Sequence, residues 1–125
     1  MILDTNALFA WWDGNGALDP ILESLEQICV PVPALAEFRF GVLQSTKREL
    51  MESRMEQALL TTRILPADDT TTGHYAAIRL ELKRKGNPIP MNDLWISAIA
   101  RQHRLPILSR DTHFDAVHGI KRISW

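Results

Sequence analysis

Short apolar runs alternate with helix-length stretches from one end of this chain to the other, and that alternation is the strongest constraint on its fold. Met1 to Asp4 reads as a strand, and Thr5 to about Trp12 as a short helix closed by the turn residues Asp13-Gly14-Asn15-Gly16. Asp19 is expected to cap the next helix, with Pro20 at its first position. Ile28 to Val32, apolar and β-branched, predicts a second strand, and Pro33 opens a helix to about Val42. Lys47 to Leu60 is charged and helical, with one face in solvent. Arg63 to Pro66 is a third strand, and the Asp-Thr cluster from Asp68 to Thr72 caps a helix reaching Lys85.

The loop Gly86-Asn87-Pro88-Ile89-Pro90 is kept extended by its prolines. Asn92 is then expected to cap a helix through Arg104, with Pro106-Ile107-Leu108 as the fourth strand and Ile120 to Ile123 as a candidate fifth. Strands separated by helices imply right-handed parallel crossovers. The expected fold class is therefore α/β, a three-layer α/β/α sandwich around a central parallel sheet of four or five strands.

Size and composition narrow the function classes. A length of 125 residues predicts one domain spanning 1–125. With 46% hydrophobic and 23% charged residues, the chain is neither disordered nor a coiled-coil rod. Its 14 Lys plus Arg against 15 Asp plus Glu exclude a polycation that grips nucleic acid nonspecifically, though not a local basic strip. The lone Cys29 suits a reducing compartment and a place in the core. No charged leader followed by an apolar stretch is visible at the N-terminus, and the apolar runs stop well short of the ~18 residues a membrane span needs. A soluble cytoplasmic protein with no membrane partner is the expectation.

Four acids fall at topologically special places. Asp4 ends the first strand and Asp111 follows the fourth, so both belong at the carboxyl edge of a parallel sheet, where open α/β folds place their ligand crevice. Glu37 lies in the first turn or so of the helix after strand two, and Asp93 in the first turn of the helix after the proline loop. Each has a bland alternative. Asp93 suits a helix dipole, Asp111 a turn, Glu37 a solvated face, and Asp4 a capping role. Together they suggest one site. Carboxylates gathered in a low-dielectric crevice repel unless a cation neutralises them. An all-oxygen set favours Mg²⁺ or Mn²⁺, one or two ions, over Zn²⁺. Metal-assisted hydrolysis of a phosphodiester is the chemistry this suggests.

The ordered set Ile2-Leu3-Asp4-Thr5-Asn6, Ala36-Glu37-Phe38 with Gly41, Gly86-Asn87-Pro88-Ile89 leading into Asp93-Leu94-Trp95-Ile96, and Leu108-Ser109-Arg110-Asp111 with Phe114 resembles a PIN domain (PilT N-terminus). It is most similar to the VapC-like toxin ribonucleases of toxin-antitoxin pairs, and the resemblance covers essentially the whole chain. It implies that Asp4, Glu37, Asp93 and Asp111 form an acidic metal-binding quartet, supported by Thr5 or Asn6 and by Ser109. It further implies Mg²⁺- or Mn²⁺-dependent cleavage of RNA, a homodimer, and silencing by a cognate antitoxin. Asp115 matches a further acid present in some members. Ser97 stands where alanine is frequent, and Arg110 where asparagine is common.

Lys83, Arg84 and Lys85 end a helix close to the proline loop, so they suit either its C-terminal dipole or an RNA-backbone contact. Arg110, beside Asp111, is the better candidate for touching substrate phosphate. His74, His103, His113 and His118 are read as noncatalytic, and one of Trp11 and Trp12 is expected to pack inward. The competing functions are a catalytically silent binding or scaffold protein of the same fold and a phosphatase working through an aspartyl phosphate. The latter expects a second acid two residues after the first, where this chain has Asn6. A receiver domain also fits poorly, because Val30 to Val32 stand where it would need acids.

Overall fold

The computed structural model describes residues 1–125, with five parallel strands flanked by helices on both faces. The strands are β1 (Ile2–Leu3), β2 (Cys29–Pro31), β3 (Arg63–Leu65), β4 (Ile107–Leu108) and β5 (Arg122–Ile123). Their spatial order is β3-β2-β1-β4-β5, and every neighbouring pair is parallel. Ile2 lies opposite both Cys29 and Ile107, so β1 is the central strand. Sequence order reverses on its two sides, between β2 and β4, which makes the carboxyl end of β1 the switch point where a crevice must open.

The helices are α1 (Thr5–Trp12), α2 (Asp19–Leu22), α3 (Val32–Leu43), α4 (Arg48–Leu59), α5 (Asp69–Arg84) and α6 (Met91–His103). The core is continuous across the sheet: Ile2, Leu3, Val30, Leu65, Ile107 and Leu108 meet Leu8, Trp12, Phe38, Met51, Met55, Ile96 and Ile99 from the helices. A smaller cluster, with Ile78, Leu82, Ile89, Leu94, Ala98 and Val117, joins α5 to α6. Trp12 is the inward member of the tryptophan pair, edge-on to Phe38 at 4.6 Å, and Trp11 stacks on it. Met51 and Met55 bury one face of α4, leaving its charged face outside. Cys29 is buried and unpaired.

Two expected caps fall one position or more off. Leu18, not Asp19, occupies the N-cap of α2, because its carbonyl accepts the Leu22 amide at 2.9 Å, and Pro20 moves to the second helical position. Likewise Pro90 is the N-cap of α6, its carbonyl 3.0 Å from the Leu94 amide, which draws Asn92 into the first turn. Val32 starts α3 rather than ending β2, so Glu37 sits in the second turn of its helix and not the first. Asp68 does cap α5, through reciprocal bonds with Thr71 at 2.9 and 3.1 Å. No helix is long and apolar enough to cross a membrane.

Candidate metal centre

The backbone brings Asp4, Ser109 and Asp111 together through a single pairing. Leu3 and Leu108 are register partners in adjacent parallel strands, so the residues that follow each of them emerge side by side at the carboxyl edge. Asp4 occupies the N-cap position of α1 yet makes no capping bond to that helix. Its Oδ2 instead accepts the Ser109 hydroxyl at 2.7 Å and the Asn6 side-chain amide at 3.0 Å. Ser109 Oγ also accepts the Asp111 amide at 2.9 Å and a second contact from Asn6 at 3.1 Å. Asn6 completes the lock by accepting the Arg110 amide at 3.2 Å. A buried serine thus ties the ends of β1 and β4 into one polar knot.

Asp93 reaches the same edge from the third position of α6, where the proline loop delivers the helix start. Asp111 both caps the short 3-10 helix Thr112–Ala116, accepting the His113 amide at 2.9 Å, and faces the crevice. Between these two acids sits His113, its Nδ1 2.8 Å from Asp111 Oδ1 and 3.2 Å from Asp93 Oδ2. Ligand atoms of this trio all lie within 4.8 Å of one another. Asp4 and Glu37 line the same cavity, of about 360 Å³, together with Thr5, Asn6, Phe9, Pro90 and Asn92. Glu37 is exposed on the outer wall, whereas Asp4 and Asp93 are only 3% and 7% exposed.

The electrostatics are those of crowded carboxylates. Burial, then the sharing of a proton with Asp111 and repulsion from Asp111 and Asp4, pushes Asp93 up to about 7. Burial also raises Asp4, against the Ser109 hydrogen bond and with added repulsion from Asp111 and Glu37. For Asp111, burial is outweighed by hydrogen bonds from the His113 amide, from Asp93 and from the His113 ring, so it lies below the usual carboxylate range. The hydrogen bond and charge of Asp111 raise His113 in turn. The His113 ring therefore stands between two acids, where positive charge is favoured. Thr5 Oγ1 is buried on the cavity wall with no hydrogen-bond partner. Clustered carboxylates, one of them a carboxyl that holds its proton near neutrality, and an orphaned hydroxyl fit a divalent cation.

Other expected residues lie elsewhere. Asp115 is held by a two-pronged pair with Arg122 at 2.8 and 2.9 Å, which occupies both its oxygens. Arg110 turns back onto Trp125, its guanidinium 4.5 Å from the ring centroid and 3.2 Å from the Trp125 carbonyl. Lys83 and Arg84 close the last turn of α5, with Lys85 as its C-cap, outside the acidic cavity. His113, read from sequence as noncatalytic, is the residue that geometry adds. Its signal is the two-residue step from Asp111, which one turn of 3-10 helix folds back onto the acid. Phe9 and Asn92 are further wall residues with no distinctive sequence signal.

The family model for the PIN domain matches residues 1–120. Ribonuclease VapC5 of Mycobacterium tuberculosis is 29% identical over 94% of this chain and 87% of its own length. Toxin FitB of Neisseria gonorrhoeae is 37% identical over 70% of this chain and 68% of its own. Among solved structures, VapBC2 from Rickettsia felis bound to a DNA fragment from their promoter superposes with a TM-score of 0.88 at 26% identity, covering 99% of this chain and 97% of the other. FitAcB from Neisseria gonorrhoeae gives 0.83 at 32% identity, covering 98% and 95%.

Proposed function

This chain belongs to the PIN domain family, and from that premise we propose that it is a metal-dependent endoribonuclease, the cytoplasmic toxin of a toxin-antitoxin pair. The observation that carries the reading is the convergence of Asp4, Asp93 and Asp111 on one sheet edge, with Asp93 raised to about 7 and His113 wedged between two of them. Relatives over most of the chain carry the names ribonuclease and toxin, and the superposing structures include toxin-antitoxin assemblies.

In this reading Asp4, Asp93 and Asp111 hold one or two Mg²⁺ or Mn²⁺ ions, with Glu37 as the fourth acid across the cavity. When bound, the cation supplies polarisation of the scissile phosphate and activation of the attacking water. The chain's own residues set the geometry. Ser109 and Asn6 fix one oxygen of Asp4 by hydrogen bonds and leave its other oxygen to face the cavity. Rigid positioning of this kind removes reorganisation from the reaction. His113 and a bound cation would compete for the same oxygen of Asp111. Arg110 holds its guanidinium against Trp125, outside the residues that line the cavity, so a contact with substrate phosphate would require it to leave that ring.

The partners in this proposal are RNA, a cognate antitoxin and a second copy of the chain as homodimer. Incubating purified protein with total cellular RNA in Mn²⁺ or Mg²⁺ tests the enzyme. Cleavage that EDTA abolishes supports it, and RNA left intact in the presence of metal contradicts it.

A further inference from the structure

At the edge of the sheet opposite the acids lies a second cavity, of about 450 Å³, lined by His74, Arg101, Arg104, Leu105, Pro106, Gly119 and Lys121. Pro106 and Lys121 immediately precede β4 and β5, so this cavity opens at the amino ends of the strands whose carboxyl ends carry Ser109 and the last residues of the sheet. Three cations face it. Arg101 is neutralised by a two-pronged pair with Glu81 at 3.1 and 3.2 Å and donates to the His118 carbonyl. Arg104 and Lys121 have no carboxylate within ion-pair distance. No acid lines the cavity.

The backbone adds a second observation. Arg104 is the one non-glycine residue with positive φ, at +55°, in the left-handed position that ends α6. Glycine or asparagine is favoured there, because a Cβ crowds the neighbouring carbonyl. Retaining arginine against that preference places a long cation at the cavity mouth. The carbonyl end of α6 would by itself welcome cations, but its partial charge of about half an electron is smaller than the two unpaired charges, so the cavity stays positive. Lys121 and His74 come from other elements and owe nothing to that helix end. Gly119 has a φ of +81°, a conformation that favours glycine, and a Cβ there would meet nothing closer than Arg101 Nε at 4.0 Å.

We infer that this basic cavity is a phosphate subsite, in which Arg104 and Lys121 hold the RNA backbone at the face away from the acidic centre. The inference rests on the ribonuclease reading and extends it. Long or folded RNA would be gripped at both edges, whereas a short oligonucleotide engages the acidic edge alone. It also accounts for how a chain of net charge −1 attracts a polyanion, by setting unpaired cations apart from the acids.

The test uses Arg104→Asn, which tolerates the left-handed backbone, and Lys121→Gln. Binding of polyuridylate is measured by fluorescence anisotropy in EDTA across a salt series, with thermal melting alongside. Each lost phosphate contact should lower the slope of log affinity against log salt by about 0.7, so the double variant should lose about 1.4. Melting temperature should hold or rise for Arg104→Asn, and KM for long RNA should rise with kcat unchanged. Equal affinity and equal slope in wild type and double variant would overturn the subsite. Inorganic pyrophosphate is the control ligand: binding that needs Arg104 while polyuridylate binding does not would make this a site for free phosphate and overturn the RNA assignment. Polyuridylate binding that needs Arg104 in a protein that cleaves no RNA would uphold the subsite and reject the ribonuclease reading.

Discussion

The Ser109 hydroxyl donates to Asp4 Oδ2 at 2.7 Å across 105 residues of sequence, and Ser109 Oγ itself accepts the Asp111 amide at 2.9 Å. One buried side chain therefore aligns two of the acids. Ser109→Ala should leave the sheet register intact, since Leu3 and Leu108 still pair, but cost about 10–100-fold in Mn²⁺ affinity or cleavage rate. The hydrogen bond lowers Asp4, so its loss should also move the acid limb of the pH-rate profile upward. An unshifted profile with full activity would separate Ser109 from the site.

Asp93 gives the metal-free protein a definite pH dependence. Its carboxyl titrates at 3.8 when unfolded and at about 7 when folded, so the folded state holds the extra proton in that window. Stability from this group is present at low pH and falls as pH rises toward 7. His113, raised from 6.5, acts in the same direction above that value. Melting temperature in EDTA should therefore drop between pH 6 and pH 8. Asp93→Asn should flatten the drop and be the more stable protein at pH 8, by about 3–5 °C. Mn²⁺ should raise the wild-type melting temperature more at pH 8 than at pH 6. Calorimetry at the two pH values checks the sign.

Ser97 lies fully buried in α6 with no partner for its hydroxyl. An unsatisfied buried hydroxyl costs about 1–3 kcal/mol. Ser97→Ala should raise the denaturation midpoint without changing the denaturant slope. A loss of stability would mean that the hydroxyl has a partner in solution.

Gly41 faces the ring of Phe9, and a Cβ there would come within 2.5 Å of Phe9 Cζ. Phe9 also packs on Phe38 at 4.8 Å and forms part of the acidic cavity wall. Gly41→Ala should destabilise by about 1–3 kcal/mol and weaken Mn²⁺ binding by pushing the ring into the cavity. Adding Phe9→Leu should recover much of both losses. Additive effects in that double-mutant cycle would show that the two residues do not communicate.

The acids at strand ends were legible because a parallel sheet leaves them no other edge: once β1 and β4 are recognised, Asp4 and Asp111 must emerge together. Asp68 was legible as a cap because its partner Thr71 stands three residues on. The caps expected at Asp19 and Asn92 were not found, since Leu18 and Pro90 supply the accepting carbonyls themselves, one residue and two residues earlier. His113 stands two residues after Asp111, a spacing that by itself is nonspecific. Its place depends on a 3-10 turn that only the folded loop defines. Asp115 shows the converse, an acid at a suggestive position that Arg122 claims first. The basic cavity escapes composition altogether, because its cations are scattered between residues 74 and 121.

In the proposed function Asp4 belongs to a cation-holding acidic centre that cleaves RNA. Asp4→Asn keeps shape and the Ser109 and Asn6 contacts within reach while removing one charge. The most direct measurement is Mn²⁺ titration by calorimetry on wild type and Asp4→Asn, paired with mapping of cut ends in cellular RNA. The expected result is metal binding and Mn²⁺-dependent cleavage by the wild type, with both lost in a variant whose melting curve remains cooperative. A folded Asp4→Asn protein that still binds Mn²⁺ and cuts the same sites would contradict the account.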